Sequence, residues 1–491
     1  MTAASNLNPH HGGAGRHPTR EFLDSLSGHE DPGKFGRMFP TLPALHVDDA
    51  ALTALAQAML DNDAAIDDNP NIPAGFTYLG QFIDHDITLD LTSLGEKMRD
   101  PRGIQNFRTP SLDLDSLYGR GPDGSPHMYA RNTVGKFLIG KNITVDHGNV
   151  QGEFRNDLPR SPEGHALIGD HRNDENLLVA QTHLAFLKFH NKVMDRLEAE
   201  GVEEGARFEQ ARRIVTWHYQ WIVLHDFLGR LTMPGMVDKI LHEGRKFYRF
   251  KKFPYMPVEF SGAAYRLGHS QVRQRYNHNR IFPDIGFNFL FGFTGLSGEI
   301  IGDLAPEPPV GPLPVSRLPS NWIIDWRQFH EVDGGVAPQS TRKLDAFLAS
   351  ELHRLPGGGN LAFLNLRRGV QLGLPSGQSV AEAMGIADPI TAAELESGSD
   401  GAVLSAHGLH TQTPLWYYVL KEAQVKCDGL RLGPVGSTIV AEVLVGLVHG
   451  DHQSYLWQQG PGWRPTLPSA VAGDFTMADM LRLVDDINPI G

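Results

Sequence analysis

Apolar residues recur at helical spacing along much of the chain. Between residues 176 and 197 they fall at Leu177, Ala180, Leu184, Leu187, Val193 and Leu197, which predicts a long helix that also carries His183 and His190. A second helix is predicted over residues 208–228. There Ile214, Trp217, Trp221, Leu224 and Leu228 mark a broad stripe, with His218 and His225 beside it. A third is predicted over residues 435–449. The intervening stretches, notably 302–319 and 355–360, are rich in Pro and Gly, and 53 Gly with 33 Pro imply many ordered loops. Strand signals are few and short, and TVGKFLIGKNITV at residues 133–145 is the best hairpin candidate. The pattern predicts a mainly α, loop-rich single domain with minimal β structure over residues 21–491, after a flexible polar lead-in over residues 1–20.

A chain of 491 residues with 41% hydrophobic content can bury a large core. Its formal net charge of -13 argues against a nucleic-acid partner, which would demand a clustered basic face. The longest apolar stretches, such as residues 439–448 interrupted by Glu442, fall short of the roughly 18 residues that cross a bilayer. No transmembrane segment is therefore expected. The start, MTAASNLNPHHGGAGRHP, lacks the basic and apolar blocks of a secretory signal, so a cytoplasmic location and export without such a signal both fit. Oligomeric state is not encoded in any feature of the sequence. The single cysteine, Cys427, cannot form an intrachain disulfide or a cysteine-ligated metal centre, so any metal must be held by His and oxygen ligands. Cys427 reads as a small buried side chain, and Trp217, Trp221 and Trp457 read as core.

Three segments carry candidate chemistry. In GQFIDHDITLDL (residues 80–91), Gln81 and His85 sit four apart and share a helix face, while Asp86 points about 100° away toward a different site. In TPSLDLDSLYG (residues 109–119), oxygen donors alternate along what reads as an extended stretch, the arrangement a hard cation with six to eight oxygen ligands wants. In GDHRNDEN (residues 169–176), Arg172 stands where a loop becomes a helix, and a guanidinium stays charged in any pocket. Each segment alone also has an ordinary structural reading: a solvated polar face, a turn rich in Asp and Ser, and a helix cap with a surface ion pair.

Two later segments, YRLGH (residues 265–269) and NLAFLNLRRGVQLGLP (residues 360–375), complete a series. Taken in order over about residues 72–457, the five resemble the signature of animal-type haem peroxidases, the branch of the peroxidase-cyclooxygenase superfamily that includes myeloperoxidase. The resemblance implies a helical haem-peroxidase fold that reduces hydrogen peroxide to water while oxidising halide, thiocyanate or small phenolic donors. His85 would be the distal base, Arg172 would stabilise charge separation in the peroxide, and Gln81 would hydrogen-bond water or a small anion. His269 would ligate the iron of haem b, with Asn365 accepting its other ring N–H. Arg266 and Arg368 would pair with the propionates. Asp84 and Glu175 match the carboxylates that relatives esterify to the haem. Asp86, Thr109, Ser111, Asp113 and Asp115 match the family's calcium site.

Three departures from the family pattern stand out. Asp115 replaces the more usual Ser. Asn176 stands where myeloperoxidase has the methionine of its sulfonium link, which makes efficient chloride oxidation doubtful. RRGVQLGLP replaces RSRDHGLP beyond Asn365. Three alternatives remain open at this stage, one of them a haem-binding protein without turnover, for which Gln81, His85 and Arg172 would be needless. A fatty-acid dioxygenase of the same superfamily would carry a tyrosine three residues before the proximal His, where this chain has Arg266 and places Tyr265 one residue early. A non-haem metal hydrolase would draw on His85 with Asp84 and Asp86, or on His449, Asp451 and His452.

Overall fold

Helices form where the apolar stripes run, and local side chains set their ends. The computed structural model describes residues 33–61, 68–89, 106–145, 150, 152–294, 317–355 and 359–491. Helix α1 spans Asp49–Ala58 and is capped by Asp48, whose carboxylate accepts from the Ala51 N–H at 2.7 Å. Helix α2 covers Gly75–Ile87. The long predicted helix is α3, Leu177–Ala199, with Asn176 as its cap. Helix α4, Glu204–Trp221, widens into a π-helical turn over Ile222–Phe227 before ending at Leu228–Leu231. Farther on lie α5 (Leu361–Gln371), α6 (Leu415–Cys427), α7 (Pro434–Gly450) and α8 (Met477–Val484).

The protein is of the mainly α class, and its strands are short two-stranded pairings. Phe35–Gly36 runs parallel to Met256–Pro257, and Arg275–Tyr276 is antiparallel to Ile285–Gly286. Asp68–Pro73 pairs antiparallel with Ser340–Arg342, in a register of Asp68 with Arg342 that breaks between Asn69 and Pro73. The hairpin expected at residues 133–145 does not form. Its residues instead make single bridges to segments outside it, Phe137 with the nearby Tyr129, Gly140 with Asp157 and Ile143 with Pro319. The lead-in and most of the 302–319 stretch lie outside the described residues.

The core centres on the contact of α2 with α3 and α4. Phe82 stacks on Phe186 with ring centroids 4.8 Å apart, and Tyr219 meets both rings edge-on. Truncating an aromatic in such a place costs about 3–5 kcal/mol, so α2 is held firmly. Helix α7 is buried along almost its whole length. Among the described residues, no helix is long and apolar enough to cross a membrane. Trp217 and Trp221 pack against Trp463, whereas Trp457, expected in the core, is 59% exposed and stacks on His452. Cys427 is only half-buried.

Candidate active site

Helix α2 begins against a wall. A Cβ at Gly75 would lie 2.2 Å from the buried His330 ring, so only glycine lets the helix start there. Two to three turns further on, Gln81, Asp84 and His85 face a cavity of about 500 Å³, while Asp86 faces away. His85 is buried. Its Nδ1 lies 2.9 Å from Asn173 Oδ1, and its Nε2 lies 3.5 Å from Glu175 Oε1 on the cavity wall. Burial, and then the nearby Arg172 charge, push its pKa down to about 3, so the ring is neutral and can act as a base. Asn173 in turn donates from Nδ2 to Nδ1 of the fully buried His183 at 3.0 Å.

Gln81 donates to Glu175 Oε1 and accepts from Asn176 Nδ2 at 2.9 Å. Asn176 thus serves two purposes, because its Oδ1 also caps α3 at the Val179 N–H. Arg172 stands one layer behind the wall, in the 3-10 turn His171–Asp174. Its Nε and Nη2 grip the two oxygens of Asp170 at 3.1 and 2.7 Å, and Nη2 also donates to the carbonyls of His85 and Thr88 at 2.9 and 2.6 Å. Asp170 is buried, yet the guanidiniums of Arg172 and Arg108 hold its carboxyl well below the ordinary range. The ion pair expected at the surface is instead a clamp on the buried Asp170, and it ties Arg172 to the backbone of α2.

The other wall comes from the chain after residue 258. His269 ends the 3-10 turn Ala264–His269 and lines the same cavity as His85. Burial, and then Arg266, push its pKa down to about 3. Asn365, on α5, stands behind His269 with Nδ2 2.8 Å from the ring Nδ1. Arg266 takes the other end of that amide, donating from Nη1 to Oδ1 at 2.7 Å and from Nε to the Ser261 carbonyl at 3.0 Å. The pairing of Asn365 with His269 matches the sequence expectation, but the direction is reversed. With its oxygen engaged by Arg266, the amide offers hydrogens to the ring instead of accepting one. Arg368 also lines the cavity. Trp416, absent from the sequence reading, closes this side with its ring 6.5 Å from His269 and its N–H on the Arg266 carbonyl at 3.2 Å.

Two carboxyls sit on the cavity wall at raised pKa. Asp84 is pushed up by burial against the opposing pull of Arg172, and Glu175 is pushed up to about 7 mainly by burial. The rest of the lining is largely apolar, with Phe227, Val258, Phe287, Phe291, Leu352 and Leu361 among it. The residues present fit a haem: neutral imidazoles from two segments, two guanidiniums on the wall, and an apolar hollow between them.

Asp86 meets Asp113 and Asp115 beyond the far side of α2, with oxygens within 4.8 Å of one another. This is the one such group of potential ligands among the described residues, so His449, Asp451 and His452 do not converge as a hydrolase site would require. The segment around Asp113 is not extended as expected. It curls through bends, passes Leu114 at φ 59°, and enters the helical turn Asp115–Tyr118. This curl aims the Leu114 and Ser116 N–H groups, at 3.2 and 3.4 Å, and the Ser116 hydroxyl, at 2.9 Å, onto Asp86. Burial, and then Asp115, raise the Asp86 pKa to about 7. The Thr109 hydroxyl is buried with no hydrogen-bond partner among the described residues, as a group awaiting a cation would be. The sequence reading missed Arg108, whose guanidinium lies 3.3 Å from Asp115 and donates to Asp170 at 2.6 and 2.9 Å. Arg108 therefore joins the acidic cluster to the Arg172 clamp.

Two imidazoles thus meet on one largely apolar cavity, with a clamped arginine behind one and an acidic cluster beside it. The chain belongs to the animal haem peroxidase family, whose model matches residues 89–461. It is 26% identical to chorion peroxidase of Drosophila melanogaster over 386 residues, 72% of this chain and 42% of that one. With human lactoperoxidase the identity is 24% over 393 residues, covering 73% and 50% of the two chains. The chain thus spans half or less of the length of these relatives. In fold it is similar to peroxidase A of Dictyostelium discoideum, with a TM-score of 0.63 at 15% identity over 93% of this chain and 94% of that one. It is also similar to the fatty acid alpha-dioxygenase of Oryza sativa, with a TM-score of 0.59 at 13% identity over 94% and 80%.

Proposed function

We propose that this chain is a haem peroxidase that reduces hydrogen peroxide to water and oxidises halide, thiocyanate or small phenolic donors. One observation carries the reading: neutral His85 and neutral His269 reach a single cavity from separate segments, with Arg172 held beside His85. Bound haem supplies the redox-active iron on which peroxide is reduced. His85 Nε2 takes a proton from one peroxide oxygen and returns it to the departing one, so that water leaves. Arg172, one layer back, supplies fixed positive charge that favours the transient anion. Gln81 and Asn176 order water or a small anion near His85.

His269 would ligate the iron through Nε2, with its ring proton on Nδ1. With haem bound, Asn365 would present its oxygen to that ring proton, and Arg266 and Arg368 would pair with the propionates. The ester links through Asp84 and Glu175, and calcium held by Asp86, Thr109, Ser111, Asp113 and Asp115, belong to the same reading. The dioxygenase reading is weaker, since Arg266 holds the position where that activity places its tyrosine.

The test is an absorption spectrum of the purified protein with and without hydrogen peroxide, followed by rates against halides and phenols. His85→Ala should keep the haem band but react with peroxide about 100-fold more slowly or worse, as loss of a general base implies. His269→Ala should lose ordered iron ligation. Normal turnover in both variants would end the assignment.

A further inference from the structure

Asn173 sits fully buried between two imidazoles, with Oδ1 2.9 Å from His85 Nδ1 and Nδ2 3.0 Å from His183 Nδ1. An amide oxygen has no hydrogen to give, so its contact with His85 requires the hydrogen on His85 Nδ1. An amide nitrogen has no lone pair to offer, so His183 must present a bare Nδ1 and carry its own hydrogen on Nε2. One side chain thus sets the tautomers of two neutral rings.

We propose that Asn173, backed by His183, is a positioning residue that fixes His85 in its Nδ1–H form and so aims an unprotonated Nε2 into the cavity. The proposal rests on the peroxidase reading and deepens it. A neutral imidazole has one nitrogen that donates and one that accepts, and a neighbour's hydrogen bond selects between them. Without the amide, His85 can hold its hydrogen on Nε2, where it blocks proton pickup. The backing is rigid. His183 is buried in α3, edge-on to Phe82 of α2 with ring centroids 5.8 Å apart. Asn173 donates its own N–H to the Asp170 carbonyl at 3.1 Å, in the turn that carries Arg172. The charged groups around His85 are Glu175 at its Nε2, Arg172 on its carbonyl, and Asp170 and Arg108 behind it. Turning the amide over would invert both rings and direct a His85 Nε2–H at Glu175, and that is the arrangement the proposal excludes.

The experiment uses the haem-loaded protein with isotopically labelled histidine. Ring nitrogen shifts should give the Nδ1–H form for His85 and the Nε2–H form for His183. The reaction with hydrogen peroxide is then followed across pH. Asn173→Ala should mix the two forms of His85 and slow the reaction at least about 10-fold, a part of what a general base contributes. Asn173→Asp should keep the Nδ1–H form and move the acid limb of the pH profile upward by about 1–3 units, because a carboxylate favours the imidazolium. A merely structural asparagine would not produce that shift, and circular dichroism of both variants guards against misfolding. An Nε2–H form in the unaltered protein, or two folded variants with its profile and shifts, overturns the proposal. His85→Ala reacting as fast as the unaltered protein would instead sink the peroxidase reading, whatever the ring shifts show.

Discussion

A carboxyl on an apolar wall resists ionisation, and Asp84 and Glu175 are held there by design of their neighbours. Thr88 donates to Asp84 at 3.1 Å, and Gln81 donates to Glu175. Both point into the space a porphyrin would fill, which suits ester attachment. Extraction with acidified organic solvent should therefore leave haem on the protein, and Asp84→Asn or Glu175→Gln should each remove one attachment, read by mass spectrometry of haem-bearing peptides. Free haem in the extract of the unaltered protein would refute the links. Single residues differed in how far the sequence disclosed them. Gln81 and His85 were legible because four-residue spacing on a helix fixes a common face whatever surrounds it. Asn173 was not, since its role depends on His183, whose ring arrives from another element. The reversed Asn365 amide was hidden for the same reason, being set by Arg266 across a tertiary contact.

At the scale of elements, α2 serves two sites with successive residues, His85 toward the cavity and Asp86 toward the acidic cluster. The 109–118 segment curls where alternation suggested extension. The curl lets Leu114 and Ser116 meet Asp86, and pattern reading sees neither the positive φ at Leu114 nor the Asp86 carboxylate that rewards it. Gly169 seals the joint between this segment and the Arg172 turn, where a Cβ would lie 2.4 Å from the Ser116 carbonyl. Under the proposed reading, the three buried aspartates hold calcium. Removing divalent ions with a chelator should lower the thermal midpoint, and calcium should restore it. A ligand at 100 times its dissociation constant stabilises by about 2.7 kcal/mol, enough to resolve by calorimetry. A metal-free sample with unchanged midpoint and peroxide reactivity would remove calcium from the account.

Across the whole molecule, the long helices were plain in the periodicity of residues 176–228 and 435–449, because each buries a stripe that a 3.6-residue repeat reveals. The short strands and bridges were not, as they join segments such as Gly140 and Asp157 that no local pattern links. Global burial also sets acid tolerance. His183, His190, His218, His278 and His330 lie outside the cavity lining and are pushed by burial down to about 3 or 4. Unfolded histidines titrate near about 6.5, so below that pH the unfolded chain binds more protons and the folded one loses ground. Outside the cavity and the acidic cluster, burial also pushes up the carboxyls of Asp226, Glu259 and Glu422, which work the other way but number three groups against five. Thermal midpoints should therefore fall steadily from about pH 6.5 toward pH 4, and a flat profile there would contradict the buried neutral rings.

The two walls of the cavity are encoded far apart, His85 with the Arg172 turn in the first part of the chain, and His269 with Asn365 and Arg368 well beyond. On the proposed assignment, a nascent polypeptide leaving the ribosome carries the proposed base His85 long before the proposed iron ligand His269. Products truncated before His269 should therefore emerge without a haem band, read by absorption of the purified fragments.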